Sequence, residues 1–156
     1  MEIRRAEIRD IPGMIALLQQ VGDVHHTIRP DIFRVGAQKY DEAALELLLQ
    51  DENMPIFVAD EGGFVAGYCF CQIRAYADSG VLTDRKELYI DDLCVDETAR
   101  GKGVATALFR HVTAVAKAEG AKFITLNVWE GNSALRFYEK MGMKPRKIFM
   151  DLPLED

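Results

Sequence analysis

The chain has 156 residues, 49% of them hydrophobic and 28% charged, with 19 Lys and Arg against 25 Asp and Glu and a net charge of −6. That is the size and mix of one globular domain spanning 1–156; the charge weighs against nucleic acid and favours a cationic partner. No apolar run approaches the roughly 18 residues that span a bilayer.

The N-terminal "MEIRRAEIRD" lacks the apolar stretch of a secretory signal, and three cysteines, an odd number, make no disulfide framework. Both features point to a reducing cytoplasm. In chain order, "IRRAEI" (3–8) reads as a first strand. In "DIPGMIALLQQV" (10–21), Asp10 offers an N-cap, Pro12 stands in the first turn, and Met14, Leu17, Leu18 and Val21 recur at helical spacing. "GDVHHTIRPDIFRVG" (22–36) reads as a long polar and aromatic loop, and 41–51 as a second amphipathic helix. "PIFVADEGGFVAGYCFCQI" (55–73) reads as two strands joined by a tight turn at Glu61, Gly62 and Gly63. A strand over 88–95, a helix over 103–119, a strand over 122–128 and a short helix over 132–142 follow, with Asn132 as N-cap. "KPRKIFMDL" then closes the sheet as a last strand. The order βααβββαβαβ describes a mixed α/β domain with a mostly antiparallel start and one βαβ crossover.

The junction "ETARGKGVATALF" (97–109) carries the clearest chemical signal. A strand that runs through a glycine-containing turn into a helix presents backbone N–H groups without intrahelical partners, at the positive end of the helix dipole. Arg100 and Lys102 add positive charge. It is neither of two familiar phosphate loops: Gly103 is followed by Val104 and Ala105, not by Lys and Ser/Thr, and Thr106 stands where a dinucleotide fingerprint needs a third small residue.

The run Arg100-Gly101-Lys102-Gly103-Val104-Ala105 instead resembles the R/Q-x-x-G-x-G/A loop of the GCN5-related N-acetyltransferases (GNAT). "NVWEGNSALRFYEKMGM" resembles that family's second signature, an Asn, an Ala, a Phe-Tyr pair and a Gly. One departure is Met143, where the family usually has Phe, an exchange of one apolar packing residue for another. The resemblance covers essentially the whole chain. It implies a mostly antiparallel twisted sheet with a splayed parallel pair and about four flanking helices. It implies acetyl-CoA as cosubstrate, no metal, and a small-molecule amine or peptide as acceptor, with neither nucleic acid nor membrane as partner. Many relatives dimerise, so a homodimer is among the expectations.

Carried over by position, the backbone from Arg100 through Gly101, Lys102, Gly103, Val104 and Ala105 to Thr106 would hold the pyrophosphate. Leu93, Cys94 and Val95 would lie along the cofactor arm, with backbone groups of Leu93 and Val95 pairing to it as to an added strand. An N–H near Leu93 or Cys94 would polarise the acetyl carbonyl. Asn132 would contact the same arm or serve only as a cap. Tyr138 would be the general acid for the departing thiolate, since a phenol with a pKa of about 10 is protonated at neutral pH. Helical spacing puts it on one face with Ala134, Leu135 and Met141.

A primary amine, pKa about 10.4, arrives protonated and must lose a proton before it attacks. Asp91 and Asp92 stand side by side in the apolar strand "LYIDDLCV", where alternation would point them to opposite faces of the sheet. That stretch looks like the polyamine and thialysine branch of the family. The resemblance implies Asp91 as base through water and Asp92 as the group holding a cationic amine. His25 and His26 are alternative bases, and His26 and Phe33 would line the acceptor pocket or simply anchor their loop. Cys69 and Cys71 alternate along a strand as core residues do. Cys94 reads as a small buried hydrophobe, without the nucleophile's role. The expected reaction is direct transfer to a primary amine in a ternary complex. The alternatives are a peptide or protein N-terminal acetyltransferase, which would need an open groove along 22–40, and a non-catalytic acyl-CoA binder.

Overall fold

The computed structural model describes residues 1–155. Its elements are β1 (Glu2–Arg5), α1 (Ile11–Ile28), α2 (Glu42–Leu48), β2 (Ile56–Glu61), β3 (Phe64–Tyr76), β4 (Arg85–Val95), α3 (Val104–Ala118), β5 (Phe123–Leu126) and α4 (Ala134–Lys140). Short 3-10 turns at Ile8–Asp10 and Glu97–Ala99 lead into α1 and the glycine turn. The strands form one sheet in the order β1-β2-β3-β4-β5, antiparallel throughout except for the parallel pair β4 and β5. This is the mixed α/β fold expected from the motifs.

Each face of the sheet carries its own core. Met14, Leu17 and Leu18 of α1 and Leu45 of α2 pack with Val58, Tyr68, Phe70 and Cys94 on one face. Val104, Leu108, Phe109 and Val112 of α3 pack with Cys69, Leu88, Ile90 and Tyr138 on the other. Side chains of this kind contribute roughly 1.5–3 kcal/mol each when fully buried, so the alternation of β3 between the two cores fixes its register. Cys69 and Cys71 are buried in that alternation, as expected.

Three expectations are corrected. First, α1 continues through Gly22 to Ile28, so His25 and His26 lie on its last turns and not in a loop. Gly22 is no helix breaker here. A Cβ at this position would meet the Ala37 carbonyl oxygen at 2.0 Å, so the glycine lets the following loop close against the helix. Second, Asp10 stands at the N-cap of α1 without making the capping bond. Its buried carboxylate accepts from the Glu7 N–H at 2.8 Å and from both Arg4 guanidinium nitrogens at 2.8 and 2.9 Å, and Arg4 also reaches Asp60. The network ties β1 and β2 to the start of α1. Third, "KPRKIFMDL" forms no strand, and residues 144–155 are exposed throughout.

Candidate functional site

The site grows from the point where the parallel pair ends. β4 and β5 pair over Glu87–Ile90 and Phe123–Leu126, and β4 then runs on through residues 91–95 without a β5 partner. The Asp96 N–H donates to the Ala66 carbonyl at 2.8 Å, which makes the Val95 and Gly67 pair a non-hydrogen-bonded one. By alternation Cys94 exchanges its bonds with Tyr68, while the N–H and C=O of Leu93 and Val95 point to the open edge. The expectation for a Cys94 amide is therefore corrected: its backbone belongs to the β3 ladder. Its thiol is buried, pushed up to about 12 chiefly by that burial, and lies 3.6 Å from the Leu17 carbonyl.

Beyond this edge the chain enters the glycine turn. Gly101 and Gly103 have φ of +75° and +82°, the left-handed region that side chains resist, and Gly103 is the N-cap of α3. The Ala107 N–H makes the first intrahelical bond, to the Gly103 carbonyl. The amides of Val104, Ala105 and Thr106 are thus left free at the helix start, beside Arg100 and Lys102. Val104 itself anchors the turn by burying its side chain in the core. These features fit a pyrophosphate: two glycines that fold the backbone back, a row of unpaired N–H groups, and two cations.

Asn132 and Arg100 line one cleft of about 380 Å³ with Val24, Thr27 and Ile28 of α1. The expected cap is displaced by one residue, since Ser133 is the N-cap of α4. The Asn132 Oδ1 nevertheless accepts from the Ala134 N–H at 2.9 Å, and its amide nitrogen has no partner among the described residues. Both suggested roles of Asn132 are thus compatible with its position.

Asp91 and Asp92 depart most from expectation. Across β3 and β4, Phe70 pairs with Asp92 but Cys71 with Ile90, so Asp91 is the extra residue of a β-bulge. The bulge interrupts the alternation and turns both carboxylates to the α1 and α2 face. Asp91 accepts from Lys39 Nζ at 2.8 and 2.9 Å and from Tyr40 Oη at 3.0 Å, with Tyr40 stacked on Phe70. Asp92 accepts from Tyr68 Oη at 2.5 Å. Burial pushes the Asp92 carboxyl up to about 6, against the opposing pull of Tyr68 and Lys39.

Tyr138 projects into the α3 core, 8% exposed, with its ring edge-on to Phe137. Ala134 and Met141 share that core as expected, but Leu135 points to solvent and Phe137 takes its place. The Tyr138 hydroxyl bonds to no described residue. Among the described residues no buried side-chain oxygen or nitrogen lacks a partner, so that hydroxyl reaches solvent. Burial, followed by Cys69, Asp92 and Cys94, pushes the phenol well above its ordinary pKa and keeps it protonated.

The far wall is aromatic. Phe33 stacks on His25 at 4.8 Å and meets Trp129 edge-on at 5.0 Å, and its carbonyl bonds His26 Nδ1 at 2.7 Å. Burial, then the charge of Lys39, lowers the His25 pKa. His26 and Phe33 are thus built into the anchor of the loop. Tyr40, which sequence reasoning offers with Phe33 as a pocket or anchor residue, bonds Asp91; Lys39, Tyr68 and Trp129 were not singled out for this site by sequence reasoning. The signal that would have found them is long-range pairing, which motif spacing does not carry.

A turn that presents a row of free backbone amides, opening onto a free strand edge with carboxylates nearby, is an arrangement suited to a phosphate-bearing carrier. The chain belongs to the GNAT acetyltransferase family: the Acetyltransferase (GNAT) family model matches residues 22–143. That family is one of acetyltransferases, which use acetyl-CoA. The chain is similar to the uncharacterized N-acetyltransferase MJ1207 of Methanocaldococcus jannaschii, 27% identical over 103 residues. The match takes in 65% of this chain but only 44% of that protein. A crystallised mutant of the BH1408 protein of Bacillus halodurans is 32% identical, with a TM-score of 0.95 over 99% of this chain and 100% of that one. The aminoglycoside N-acetyltransferase AAC(6')-Iy, crystallised with CoA, shares the fold at 17% identity, with a TM-score of 0.72 over 99% of this chain and 100% of that one. No helix among the described residues is long and apolar enough to cross a membrane, and no metal-holding cluster of His, Cys, Asp or Glu is assembled there.

Proposed function

We propose that the chain acetylates a small primary amine by direct transfer in a ternary complex, with Asp92 as proton acceptor and Tyr138 as proton donor. The observation that carries this reading is the bulge at Asp91, which turns two carboxylates to one face of β4 where its edge becomes free. Acetyl-CoA supplies an activated acyl group and a thiolate leaving group. The amides from Arg100 to Thr106 hold its pyrophosphate, and Leu93 and Val95 offer backbone groups to its arm. The Leu93 N–H is the donor for the acetyl oxygen, a contribution of a few kcal/mol in such sites.

Of the two carboxylates, Asp92 takes the proton. Asp91 is already bound by an ammonium of the chain itself and by Tyr40, and forms a wall of the acceptor site. The carboxyl of Asp92 near 6 makes it a stronger base than an ordinary aspartate and leaves it ionised at neutral pH. The neutral fraction of the amine, its first proton already lost to solvent, attacks, and Asp92 receives the second proton as the new N–C bond forms and the nitrogen becomes acidic. The Tyr138 hydroxyl has no structural partner to keep, so it is free to protonate the thiolate, and this favours an enzyme over a binder. The loop over 29–41 is pinned to Trp129 through Phe33 and to Asp91 through Lys39. That favours a small amine over a peptide, which needs this face open.

The test is release of free CoA thiol from acetyl-CoA with pooled polyamines, amino acids, aminoglycosides and peptides, for wild type and Tyr138→Phe. The reading expects release with a small-amine pool, lowered at least tenfold in the variant, with acetyl-CoA binding retained. Undiminished turnover in Tyr138→Phe removes the phenol from the mechanism. Binding without release from any pool supports the binder.

A further inference from the structure

Next to the two carboxylates the sheet carries a cation that the mechanism above does not use. Cys71 and Ile73 of β3, with Leu88 and Ile90 of β4, point into the α3 core. Alternation therefore turns Gln72, Arg74 and Tyr89 to the opposite face, the one that carries Phe70, Asp91 and Asp92. Arg74 folds back along β3 and not across to Glu87, its partner on β4. Its Nε and Nη2 donate to Gln72 Oε1 at 3.2 and 3.0 Å, and its guanidinium carbon lies 3.8 Å from the centre of the Tyr89 ring. The Tyr89 hydroxyl is itself held by Asn127 Nδ2 at 3.1 Å. A neutral amide and an aromatic face thus fix the guanidinium, half-buried, in one place.

The charges around it are already matched. Asp91 holds Lys39 at 2.8 Å, and Glu87 holds Arg85 and Arg146 at 2.8 and 2.9 Å. Of the charged side chains that β3 and β4 put on this face, Asp92 and Arg74 are left without an ion-pair partner among the described residues. Asp92 accepts from the neutral Tyr68 hydroxyl, and Arg74 has only Gln72 and the ring. One free carboxylate and one free cation are the complement of a zwitterion.

Their spacing selects the kind. The Phe70–Asp92 rung and the Gln72–Tyr89 rung, over which the guanidinium lies, are two residues of β3 apart, roughly 7 Å. In an α-amino acid the nitrogen and the carboxyl carbon are about 2.5 Å apart. A hydrogen bond of about 2.9 Å at each end extends that span to roughly 8 Å. A polyamine would set a second ammonium against a fixed guanidinium, and a peptide N-terminus carries no carboxylate at this distance.

We infer that the acceptor is an α-amino acid, with its carboxylate on Arg74 and its nitrogen presented to Asp92. The inference rests on the acetyl-transfer reading above and adds the acid group that the acceptor carries. The N–C bond to the acetyl group forms as the C–S bond of acetyl-CoA breaks; the proton of the attacking nitrogen goes to Asp92, and the thiolate takes one from Tyr138.

The test measures thiol release with α-amino acids, with the amides of the same amino acids, and with the amines left by their decarboxylation. The acids are expected to exceed both others at least tenfold in kcat/KM. Arg74→Met should raise KM for the acids at least tenfold with kcat nearly unchanged, and should leave the amides as they were. Arg74→Lys keeps the charge but loses the fork and should fall between the two; it serves alone if the Met variant does not fold. Amides or decarboxylated amines used as well as the acids overturn the inference while acetyl transfer stands, as does an unchanged KM in both variants. If no pool releases thiol, it is acetyl transfer that fails. The binding site is then judged by melting: millimolar amino acids should raise the melting temperature of the CoA-loaded wild type and not of Arg74→Met, and no rise in the wild type overturns the inference.

Discussion

Replacing Asp92 by Asn is expected to stabilise the folded chain at pH 8 while removing its activity. The Asp92 carboxyl stands at about 6 in the fold, against 3.8 for the ordinary group, so folding favours its protonated form. Between about pH 4 and 6 the folded state then binds more protons than the unfolded one, and stability falls as pH rises through that window. Above it the full cost applies, about two pKa units or ~3 kcal/mol. Asn carries no charge to desolvate, and its oxygen can still accept from Tyr68, though a neutral acceptor forfeits roughly 1 kcal/mol of the charged bond. The net gain of ~1–2 kcal/mol at pH 8 corresponds to roughly 2–8 °C in melting temperature for a chain of this size. Thermal melts at pH 8 and pH 4 provide the assay, with thiol release measured beside them. At pH 4 the advantage should vanish, because the wild-type carboxyl is then protonated in the fold. Turnover should fall by about 10²-fold or more, the usual contribution of a general base. An Asn variant that melts no higher than wild type at pH 8, or that keeps the same advantage at pH 4, refutes the reasoning.

Two further substitutions address the rest of the site. Gly103→Ala forces a side chain to φ +82° and should cost ~1–2 kcal/mol of stability; it should also reduce the rise in melting temperature that acetyl-CoA produces, and an undiminished rise would remove this turn from cofactor binding. Lys39→Met withdraws the charge that lowers both Asp92 and His25. The acidic limb of the pH–rate profile should therefore move to higher pH, and the His25 imidazole, followed by NMR, should titrate later. If neither moves, Lys39 does not set the electrostatics of the acceptor face.

The parts of this protein that were legible in its sequence are those fixed by neighbours along the chain. The turn 100–106 needs only two glycines at the start of a helix, and its left-handed φ values are local properties. The faces of α1 and α3 follow from helical spacing. What was not legible depends on strands meeting each other. Alternation sends Asp91 and Asp92 to opposite faces of β4, yet a one-residue mismatch against β3 turns them to the same one. Nothing in "YIDDLCV" states where that mismatch falls, because it belongs to the pairing of two strands. Gly22 misled for a related reason: its tolerance within α1 is explained by Ala37 pressing on it from a later loop. Lys39 and Trp129 likewise gain meaning only once that loop has closed. Residues 144–155 present the reverse case. Their period-two pattern announces a strand, and the fold of one copy provides no partner for it, so the local pattern and the single copy disagree.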